Sequence, residues 1–398
     1  MHLLSSLFVV VSMPKLFIID PTLCAIGGHE YAMDQFLVQE GNRLGYEALV
    51  LGHRSFEPNG AFPCQSVFAY TPYSQPKQSR EEDKKGYQLR NKEMLQTLSR
   101  SLSSHDIPKD SVFLVHTACA SMLTGLAAWL VRLKRLDIRV RIVLRWGVER
   151  RFFSAELGQE LYAHCFLLWE KVSCDVQFFV DSISLQEHFY SLYQKRFSCT
   201  PIGVNFSEVP AIPLFTKKSS YCFVFAGAPR LSKGGQLLAS AIIDHLIAYP
   251  ADRFRIHLLG LDAVEESIFG LLPSNRVELL YQYLEGKDYI NYLMSGDVVL
   301  VPYSPEHYYL RTSHIFLEAL GLGKPVVASG HPWMKHMLDN FDVPVGVIME
   351  EWTAKGLTEA MRNLRENVAE LSKNAIANSK DIREQHNPKA WLACVLNI

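Results

Sequence analysis

The chain has 398 residues, of which 48% are hydrophobic and 20% are charged. This composition is typical of a folded globular protein, and the length predicts two domains. The formal net charge is only −1 at pH 7, so binding of nucleic acid by the chain as a whole is not expected.

The cysteines and the first residues bear on the cellular compartment. Eight cysteines are scattered without a C-x-x-C pair, which predicts reduced thiols in a cytoplasmic protein and neither disulfides nor a zinc site. The opening "MHLLSSLFVVVSM" lacks the basic start and the cleavage site of a signal peptide, and it is too short to span a bilayer. We expect residues 1–12 to be an extension, with Met13 as an alternative start.

Apolar strand-like runs alternate with helical patterns along most of the chain. The runs before residue 207 are 15–20, 47–52, 111–116, 140–145 and 176–181, and the helical patterns include 30–44, 120–135 and 155–171. After the proline-containing linker 207–220, six further runs lie at 221–227, 254–260, 277–282, 297–303, 324–329 and 343–349. This alternation predicts two α/β domains, residues 1–207 and 208–385, with parallel sheets and with ligands at the carboxyl ends of the strands.

The segment 71–93 interrupts this pattern because it is polar and highly charged. We expect a solvated surface loop there, as is usual for charged tracts. The alternative is a mobile loop over a substrate cleft.

A glycine pair follows the first predicted strand. Gly27 and Gly28 let the backbone approach a ligand closely or simply make a tight turn. The helix that begins near His29 offers free N–H groups to an anion. The pattern is not G-x-G-x-x-G, and no acidic residue ends the second strand, so a dinucleotide site is not expected.

A second strand-to-helix junction, "APRLSKGG", carries two cations, Arg230 and Lys233, just before Gly234 and Gly235. A diphosphate placed there would meet helix N–H groups, a planar guanidinium and an ammonium. The alternative is a solvated turn.

Glu318 lies on a short apolar helix, flanked by hydrophobic residues. A buried carboxylate needs a cation or hydroxyl donors. Ribose hydroxyls would serve, and so would a salt bridge to a neighbouring Lys or Arg.

Three motifs in this order resemble a known family. They are the Gly-Gly-x-Glu turn, Arg-Leu-Ser-Lys-Gly, and Leu-Glu-Ala-Leu-Gly-Leu-Gly-Lys-Pro-Val-Val-Ala-Ser. Together they are similar to the retaining nucleotide-sugar glycosyltransferases of family 4 (group 1 type), from about residue 15 onward and most clearly over 221–330. The resemblance implies a GT-B fold, in which two Rossmann-like doubly wound domains face a central cleft. It also implies that a C-terminal helix in residues 386–398 crosses back to the N-terminal domain.

The resemblance assigns roles to several residues. Arg230 and Lys233 match the pair that holds the donor diphosphate, and Glu318 matches the glutamate that binds the nucleotide ribose. Gly27 and Gly28 match the turn that closes on the donor phosphates and sugar. The residues implied to line the base pocket are Tyr283 and Leu284.

One position departs from the family pattern. The first glutamate of the Glu-x7-Glu motif would fall at position 310, which is Leu310. The carboxylate that touches the donor sugar is therefore missing or displaced to Glu306. We expect Arg311, Thr312 and Ser313 to contribute to donor binding, through backbone N–H groups near Thr312 and Ser313.

Two residues at strand ends in the N-terminal half are further candidates. His116 either reaches the donor sugar or the acceptor as a catalytic group, or it is a histidine at the edge of the core. Arg145 is expected on the acceptor side, where it would bind an anionic acceptor or phosphate. It belongs to the stretch 132–151, with eight Arg or Lys against two acidic residues, which is either a solvated surface or a contact to anionic lipid at the inner face of the membrane.

The sequence therefore predicts a cytoplasmic hexosyltransferase-like enzyme of polysaccharide or glycolipid assembly. It would transfer a sugar with retention from a nucleotide diphosphate sugar, UDP or GDP first, to a saccharide or lipid-linked acceptor. No cofactor is expected, and the absence of an Asp-x-Asp triplet implies a metal-independent reaction. The alternatives are a non-catalytic homologue, which binds a nucleotide sugar or a partner glycosyltransferase, and a sugar-nucleotide epimerase.

Overall fold

The computed structural model describes residues 12–72, 79–148, 152–258 and 268–398. The chain divides into two compact units. Unit 1 comprises the residues up to Asp181, Leu185–Thr200 and Leu392–Ile398, and unit 2 comprises Ser182–Ser184 and Pro201–Trp391. The chain thus enters unit 2 at Pro201, somewhat before the predicted boundary at 207, and the last residues belong to unit 1.

Unit 1 contains a seven-stranded parallel sheet of order β3-β2-β1-β4-β5-β6-β7. Its strands are β1 (Lys15–Ile19), β2 (Glu47–His53), β3 (Cys64–Phe68), β4 (Val112–Ala118), β5 (Arg139–Leu144), β6 (Asp175–Val180) and β7 (Ser198–Cys199). Its helices are α1 (Gly28–Arg43), α2 (Arg80–Ser101), α3 (Ala120–Leu133), α4 (Ala155–Trp169) and α5 (Ile183–Tyr193), of which the first two residues of α5 are assigned to unit 2. The order of the strands reverses between β1 and β4, which is where such sheets bind ligands.

Unit 2 contains a six-stranded parallel sheet of order β10-β9-β8-β11-β12-β13. Its strands are β8 (Cys222–Phe225), β9 (Arg253–His257), β10 (Val277–Leu280), β11 (Val298–Val301), β12 (Val326–Ala328) and β13 (Gly346–Ile348). Its helices are α6 (Gly235–Ala248), α7 (Gly286–Met294), α8 (Pro305–Tyr308), α9 (His314–Gly321), α10 (Pro332–Asp339), α11 (Ala354–Glu366), α12 (Val368–Gln385) and α13 (Pro388–Leu396), of which α13 ends in unit 1. Here the order reverses between β8 and β11.

Both faces of the unit 2 sheet are covered, which explains its continuous apolar strands. Phe223 and Phe225 of β8 pack into one hydrophobic cluster, whereas Val224 between them packs into a second cluster. Successive side chains of a strand point to opposite faces. All three are fully buried. The eleven predicted strand runs all correspond to strands, with residues 259 and 260 outside the described part of the chain.

The charged segment 71–93 is not a loop, so that expectation is wrong for most of it. Helix α2 begins at Arg80, where the Ser79 hydroxyl accepts a hydrogen bond from the Glu82 backbone N–H at 3.2 Å. Acidic side chains fill the first turn, as the helix dipole favours. Residues 73–78 lie outside the described residues. The helical period is masked in the sequence because the buried side of α2 includes polar side chains such as Asp83 and Asn91.

Two further observations concern the remaining sequence expectations. Each of the eight cysteines is a free thiol. Among the described residues, no helix combines the length and the apolar character needed to cross a bilayer.

Candidate functional site

The unit 2 site begins where β8 gives way to α6. A short 3-10 helix, Leu231–Lys233, and then Gly234 lead into α6. Gly234 has φ +78°, and a Cβ there would lie 2.1 Å from the Pro302 carbonyl oxygen. Only glycine fits this conformation and this contact. The junction is therefore held tightly against the end of β11, and a backbone hydrogen bond from Ser304 N–H to the Ser232 carbonyl, at 3.0 Å, ties the two strand ends together.

Lys233 is the cation most confined by this junction. Its ammonium lies 5.5 Å from the centre of the Tyr303 ring. A Cβ on residue 227 would lie only 2.8 Å from the Lys233 ammonium, so the glycine at this position makes space for that ammonium. Burial, and then the charges of Arg230 and Arg311, lower the pKa of Lys233 to about 8. A cation crowded by two others binds an anion readily because the anion relieves their repulsion.

Arg230 and Arg311 complete a cluster of three cations, which we call the cationic cradle (Arg230, Lys233, Arg311). Arg230 precedes the 3-10 helix and is exposed. The Arg311 guanidinium lies 4.1 Å from the centre of the Tyr308 ring, a cation–π geometry that fixes its plane. The sequence predicted the first two as a phosphate pair. Arg311 was also expected to contribute to donor binding, and it lies near enough to lower the pKa of Lys233.

Glu318 is the carboxylate beside the cradle. It is partly buried, and the Tyr289 hydroxyl donates a hydrogen bond to it at 2.7 Å. Burial raises the pKa of Glu318, and the Tyr289 hydrogen bond and the Lys233 charge only partly offset this. The described contacts thus give Glu318 a hydroxyl donor rather than the salt bridge that was the alternative. Binding of a ribose by Glu318 stays a prediction.

The loop before α9 contains the position that departs from the family pattern. Leu310 is 7% exposed and is part of the buried core. Ser313 caps α9, since its hydroxyl accepts a hydrogen bond from the Phe316 backbone N–H at 3.2 Å. A contact of the donor with backbone N–H groups near Thr312 and Ser313 stays a prediction. Glu306 is exposed on the short helix α8, and its contact with a donor sugar stays a prediction.

The two residues predicted for the base pocket follow β10. Tyr283 is 60% exposed, and Leu284 packs against the hydrophobic core of unit 2. An exposed aromatic ring is available for stacking, but the described contacts do not link it to the cradle. This assignment stays a prediction.

In unit 1 the glycine turn lies at the amino end of α1. Gly27 and Gly28 have φ +90° and +80°. A Cβ on Gly28 would meet no heavy atom within 4 Å, so its backbone borders open space. Arg145, at the end of β5, donates a hydrogen bond to the His29 Nε2 at 3.2 Å and to the Asp181 carboxylate at 3.4 Å. The structure therefore brings Arg145 to the glycine turn, where an anion would also meet the α1 N–H groups.

Beneath this turn lies a buried triad formed by Asp20, Asp34 and His116. The His116 Nε2 is 3.0 Å from Asp34 Oδ1 and 3.4 Å from Asp20 Oδ2, and its Nδ1 is 3.0 Å from the Thr117 hydroxyl. His116 is 4% exposed. Both ring nitrogens have protein partners, so the geometry supports the core-edge interpretation of His116 and gives its predicted catalytic role no support.

The triad has unusual electrostatics. Burial alone would lower the pKa of His116, but the two carboxylates outweigh burial and raise it. Burial and the charge of Asp20 raise the pKa of Asp34. Burial opposes ionisation of Asp20 as well, yet the His116 hydrogen bond lowers its pKa. The triad therefore holds a buried imidazolium between two carboxyl groups.

Sequence reasoning missed Asp20 and Asp34 altogether. Their ligand atoms and that of His116 lie within 4.8 Å of one another, the distance range of a metal site. The sequence had suggested no His/Asp cluster with such spacing. In the sequence, Asp20 could have been noticed as an acidic residue at the end of the apolar run 15–20. The hydrogen bonds of the His116 imidazolium explain why Asp20 and Asp34 lie so close to it. The metal-independent reaction stays an expectation.

Three of the six basic side chains that the structure describes in the stretch 132–151 form ion pairs within unit 1. Arg135 pairs with Asp137 at 2.6 Å, and Arg141 pairs with Asp175 at 2.7 Å. Arg145 pairs with Asp181 as described above. Residues 149–151 lie outside the described residues. These ion pairs favour the interpretation of an ordinary protein surface over a lipid contact.

Comparisons with known proteins place this geometry in a class. No family model and no curated protein sequence matches the chain. Its fold is similar to sucrose-phosphate synthase from Thermosynechococcus elongatus, at 14% identity and a TM-score of 0.66, over 96% of this chain and 97% of that one. It is also similar to HepE from Anabaena in complex with UDP-glucose, at 16% identity and a TM-score of 0.65, over 97% and 99% of the chains.

A third similar structure is the UDP-forming α,α-trehalose-phosphate synthase from Burkholderia xenovorans, in complex with glucose-6-phosphate. The identity is 12% and the TM-score 0.66, over 96% of this chain and 99% of that one. These neighbours are GT-B glycosyltransferases. The chain therefore has the GT-B fold of two Rossmann-like domains, which confirms the fold predicted from the sequence. At such low identities the likeness establishes the fold alone.

Proposed function

We propose that the protein is a glycosyltransferase that uses a nucleotide diphosphate sugar. The observation that supports this most is the cationic cradle at the switch point of unit 2, next to the amino end of α6. Three cations lie there beside a single acidic side chain whose pKa is raised. The three cations outnumber the one carboxylate of Glu318, and a diphosphate supplies two or more negative charges.

The cradle also suits the chemistry of transfer. The bond between the sugar C1 and the leaving phosphate oxygen breaks while a bond from the acceptor oxygen to C1 forms. The acceptor's proton passes to the leaving phosphate, which we propose acts as the base, with retention at C1. Charge that develops on the leaving group is neutralised by Arg230, Lys233 and the α6 N–H groups.

The identity of the substrates rests on weaker grounds, so it belongs to the proposal. The HepE structure contains UDP-glucose and the trehalose-phosphate synthase is UDP-forming, which makes a UDP-hexose the first donor to test and a GDP-sugar the second. The proposed acceptor is a saccharide or a lipid-linked acceptor. We place the enzyme in the cytoplasm. For contact with anionic membranes, Arg132 and Lys134 are exposed, and salt-sensitive flotation with anionic vesicles tests that contact.

Leu310 favours a second candidate function. A buried leucine occupies the position at which the family pattern has a carboxylate facing the donor sugar. A protein that binds the nucleotide sugar, or a partner glycosyltransferase, without turning the donor over would tolerate this change. Formation of product from a labelled donor separates the two functions.

Binding of a nucleotide sugar is tested by a thermal-shift panel with UDP, GDP, ADP and TDP and their common sugars. A ligand at a hundred times its dissociation constant adds about 2.7 kcal/mol to the free energy of unfolding. We expect one nucleotide to raise the melting temperature of the wild type and to lose this effect in Arg230→Ala. No shift with any nucleotide would contradict the proposed function.

A further inference from the structure

Two buried tyrosines lie beside the cationic cradle in unit 2. Tyr303 follows β11, and Tyr308 ends the short helix α8. They are only 2% and 5% exposed. The centres of their rings are 4.5 Å apart, and the ring planes are inclined at 45°. Buried rings that pack on each other have little freedom to move. The two residues, which we call the tyrosine pair, are therefore a rigid support.

Each ring of the tyrosine pair faces one cation of the cradle. The Lys233 ammonium lies over the Tyr303 ring, 5.5 Å from its centre. The Arg311 guanidinium lies over the Tyr308 ring, 4.1 Å from its centre. The face of an aromatic ring carries negative charge density and attracts a cation at such distances. Two of the three cradle cations thus rest on two rings that pack on each other.

Backbone hydrogen bonds fasten this support to the cradle at two places. The Ser304 N–H, at the start of α8, donates to the Ser232 carbonyl at 3.0 Å, within the 3-10 helix that ends at Lys233. Beyond the end of α8, the Arg311 N–H donates to the Tyr308 carbonyl at 2.8 Å. Helix α8 therefore connects the segment of the first cation to the segment of the second.

The cradle needs such a support because its charges repel one another. The charges of Arg230 and Arg311 are among the causes that lower the pKa of Lys233. A lysine ammonium on its flexible stem gains by turning away from such neighbours into water. Attraction to the ring faces offsets part of this repulsion. Cations that are already in place lose less conformational freedom when an anion binds.

We propose that Tyr303 and Tyr308 are positioning residues, which hold Lys233 and Arg311 in place for one diphosphate. The tyrosines act through the two cations and not on the reacting atoms. The diphosphate as the ligand rests on the proposed function. The support of two cations by two packed rings rests on the contacts of unit 2 alone.

Calorimetric titration of UDP and of inorganic pyrophosphate tests the proposal. Tyr303→Leu and Tyr308→Leu should each weaken binding by about tenfold, the order of a lost cation–π contact. Tyr303→Phe and Tyr308→Phe keep the ring and should restore binding to within about twofold of the wild type. Tyr249→Leu is the matched control. It removes a ring that lies 4.2 Å from the Arg365 guanidinium, at the end of α6 remote from the cradle, and it should bind as the wild type does.

Double variants separate positioning from a general structural role. Tyr308→Leu should have no further effect on binding in an Arg311→Ala background, and Tyr303→Leu none in a Lys233→Ala background. If the leucine variants do not fold, pentafluorophenylalanine in place of Tyr308 still decides. It keeps the ring shape of Tyr308→Phe but removes the negative face, so it should bind more weakly than Tyr308→Phe.

Three results would overturn the proposal. They are wild-type affinity in both leucine variants, an undiminished loss in the double variants, and equal binding by the fluorinated and Phe variants. With binding of UDP intact, any of these rejects the tyrosine pair and leaves the proposed function standing. Pyrophosphate binding that depends on the rings, without binding of any nucleotide, would keep the tyrosine pair and reject the glycosyltransferase. Binding of neither probe would reject both.

Discussion

The switch points of the two sheets carry opposite kinds of electrostatics. In unit 2 the cationic cradle gathers three positive charges, and burial together with the charges of Arg230 and Arg311 lowers the pKa of Lys233. In unit 1 the triad neutralises its own charges, since His116 lies between two carboxyl groups and its pKa is raised. The comparison indicates that uncompensated charge marks the binding site, whereas compensated buried charge holds structure together.

The largest effect is expected from breaking the triad. His116→Ala leaves two buried carboxyl groups without their cation and should lower the free energy of unfolding by about 3–5 kcal/mol. Urea unfolding measures this loss. Because the folded-state pKa of His116 is raised, its contribution is full below the unfolded pKa and is lost as the pH rises through the folded one. A loss below about 1 kcal/mol would show that the triad is not the structural centre that this account makes it.

The next largest effect concerns the cradle. Arg230→Ala or Lys233→Ala should each raise the barrier to transfer by about 3 kcal/mol, by analogy with the loss of one preorganised electrostatic donor. Turnover of a labelled UDP-sugar measures it. Lys355→Ala is the matched control, because Lys355 is an exposed cation of α11 whose partner is Glu359 on the same helix. If both cradle variants turn over the donor at the wild-type rate, Arg230 and Lys233 do not bind the donor phosphates.

A smaller effect is expected in the pH dependence of nucleotide binding at the cradle. Lys233 has a pKa of about 8, so it loses its charge as the pH rises above that value, and nucleotide binding should weaken by up to about tenfold per pH unit there. Lys233→Arg keeps its charge throughout this range and should bind with a flatter dependence on pH. Calorimetric titration with UDP between pH 7 and pH 10, in roughly unit steps, measures both curves. Equal slopes for the two proteins would exclude Lys233 as the titrating group.

The smallest effect concerns the hydrogen bond beside the cradle. Tyr289→Phe removes the donor to Glu318 and should cost about 1–2 kcal/mol of stability, since a partly buried carboxylate loses its partner. It should also raise the pKa of Glu318 further. Urea unfolding of the variant measures the first, and carboxyl NMR titration the second. An unchanged Glu318 pKa would mean that Tyr289 does not set the state of this carboxylate.

Local patterns predicted much of the fold. The apolar runs located eleven strands, because strands covered on both faces are continuously hydrophobic. The short strands β3 and β7 were missed, since they are partly or largely exposed and carry few apolar residues. Helix α2 was missed for a related reason. Its buried side includes polar residues such as Asp83 and Asn91, which form hydrogen bonds there, so the helix shows no regular apolar pattern in the sequence.

The candidate site was less predictable than the fold. Arg230, Lys233 and Glu318 stood out because their strand-to-helix context is local in sequence. The approach of Arg311 to Lys233, and of Asp20 and Asp34 to His116, depends on tertiary contacts between distant segments. No spacing in the sequence reports such contacts.

The central claim is that the cradle of unit 2 binds a nucleoside diphosphate. Isothermal titration of UDP into the wild type, the Arg230→Ala/Lys233→Ala double variant and the Lys355→Ala control tests it most directly. The account predicts binding to the wild type and the control, and a loss of at least about a hundredfold in the double variant. Equal binding of UDP by the double variant and the wild type would contradict the claim.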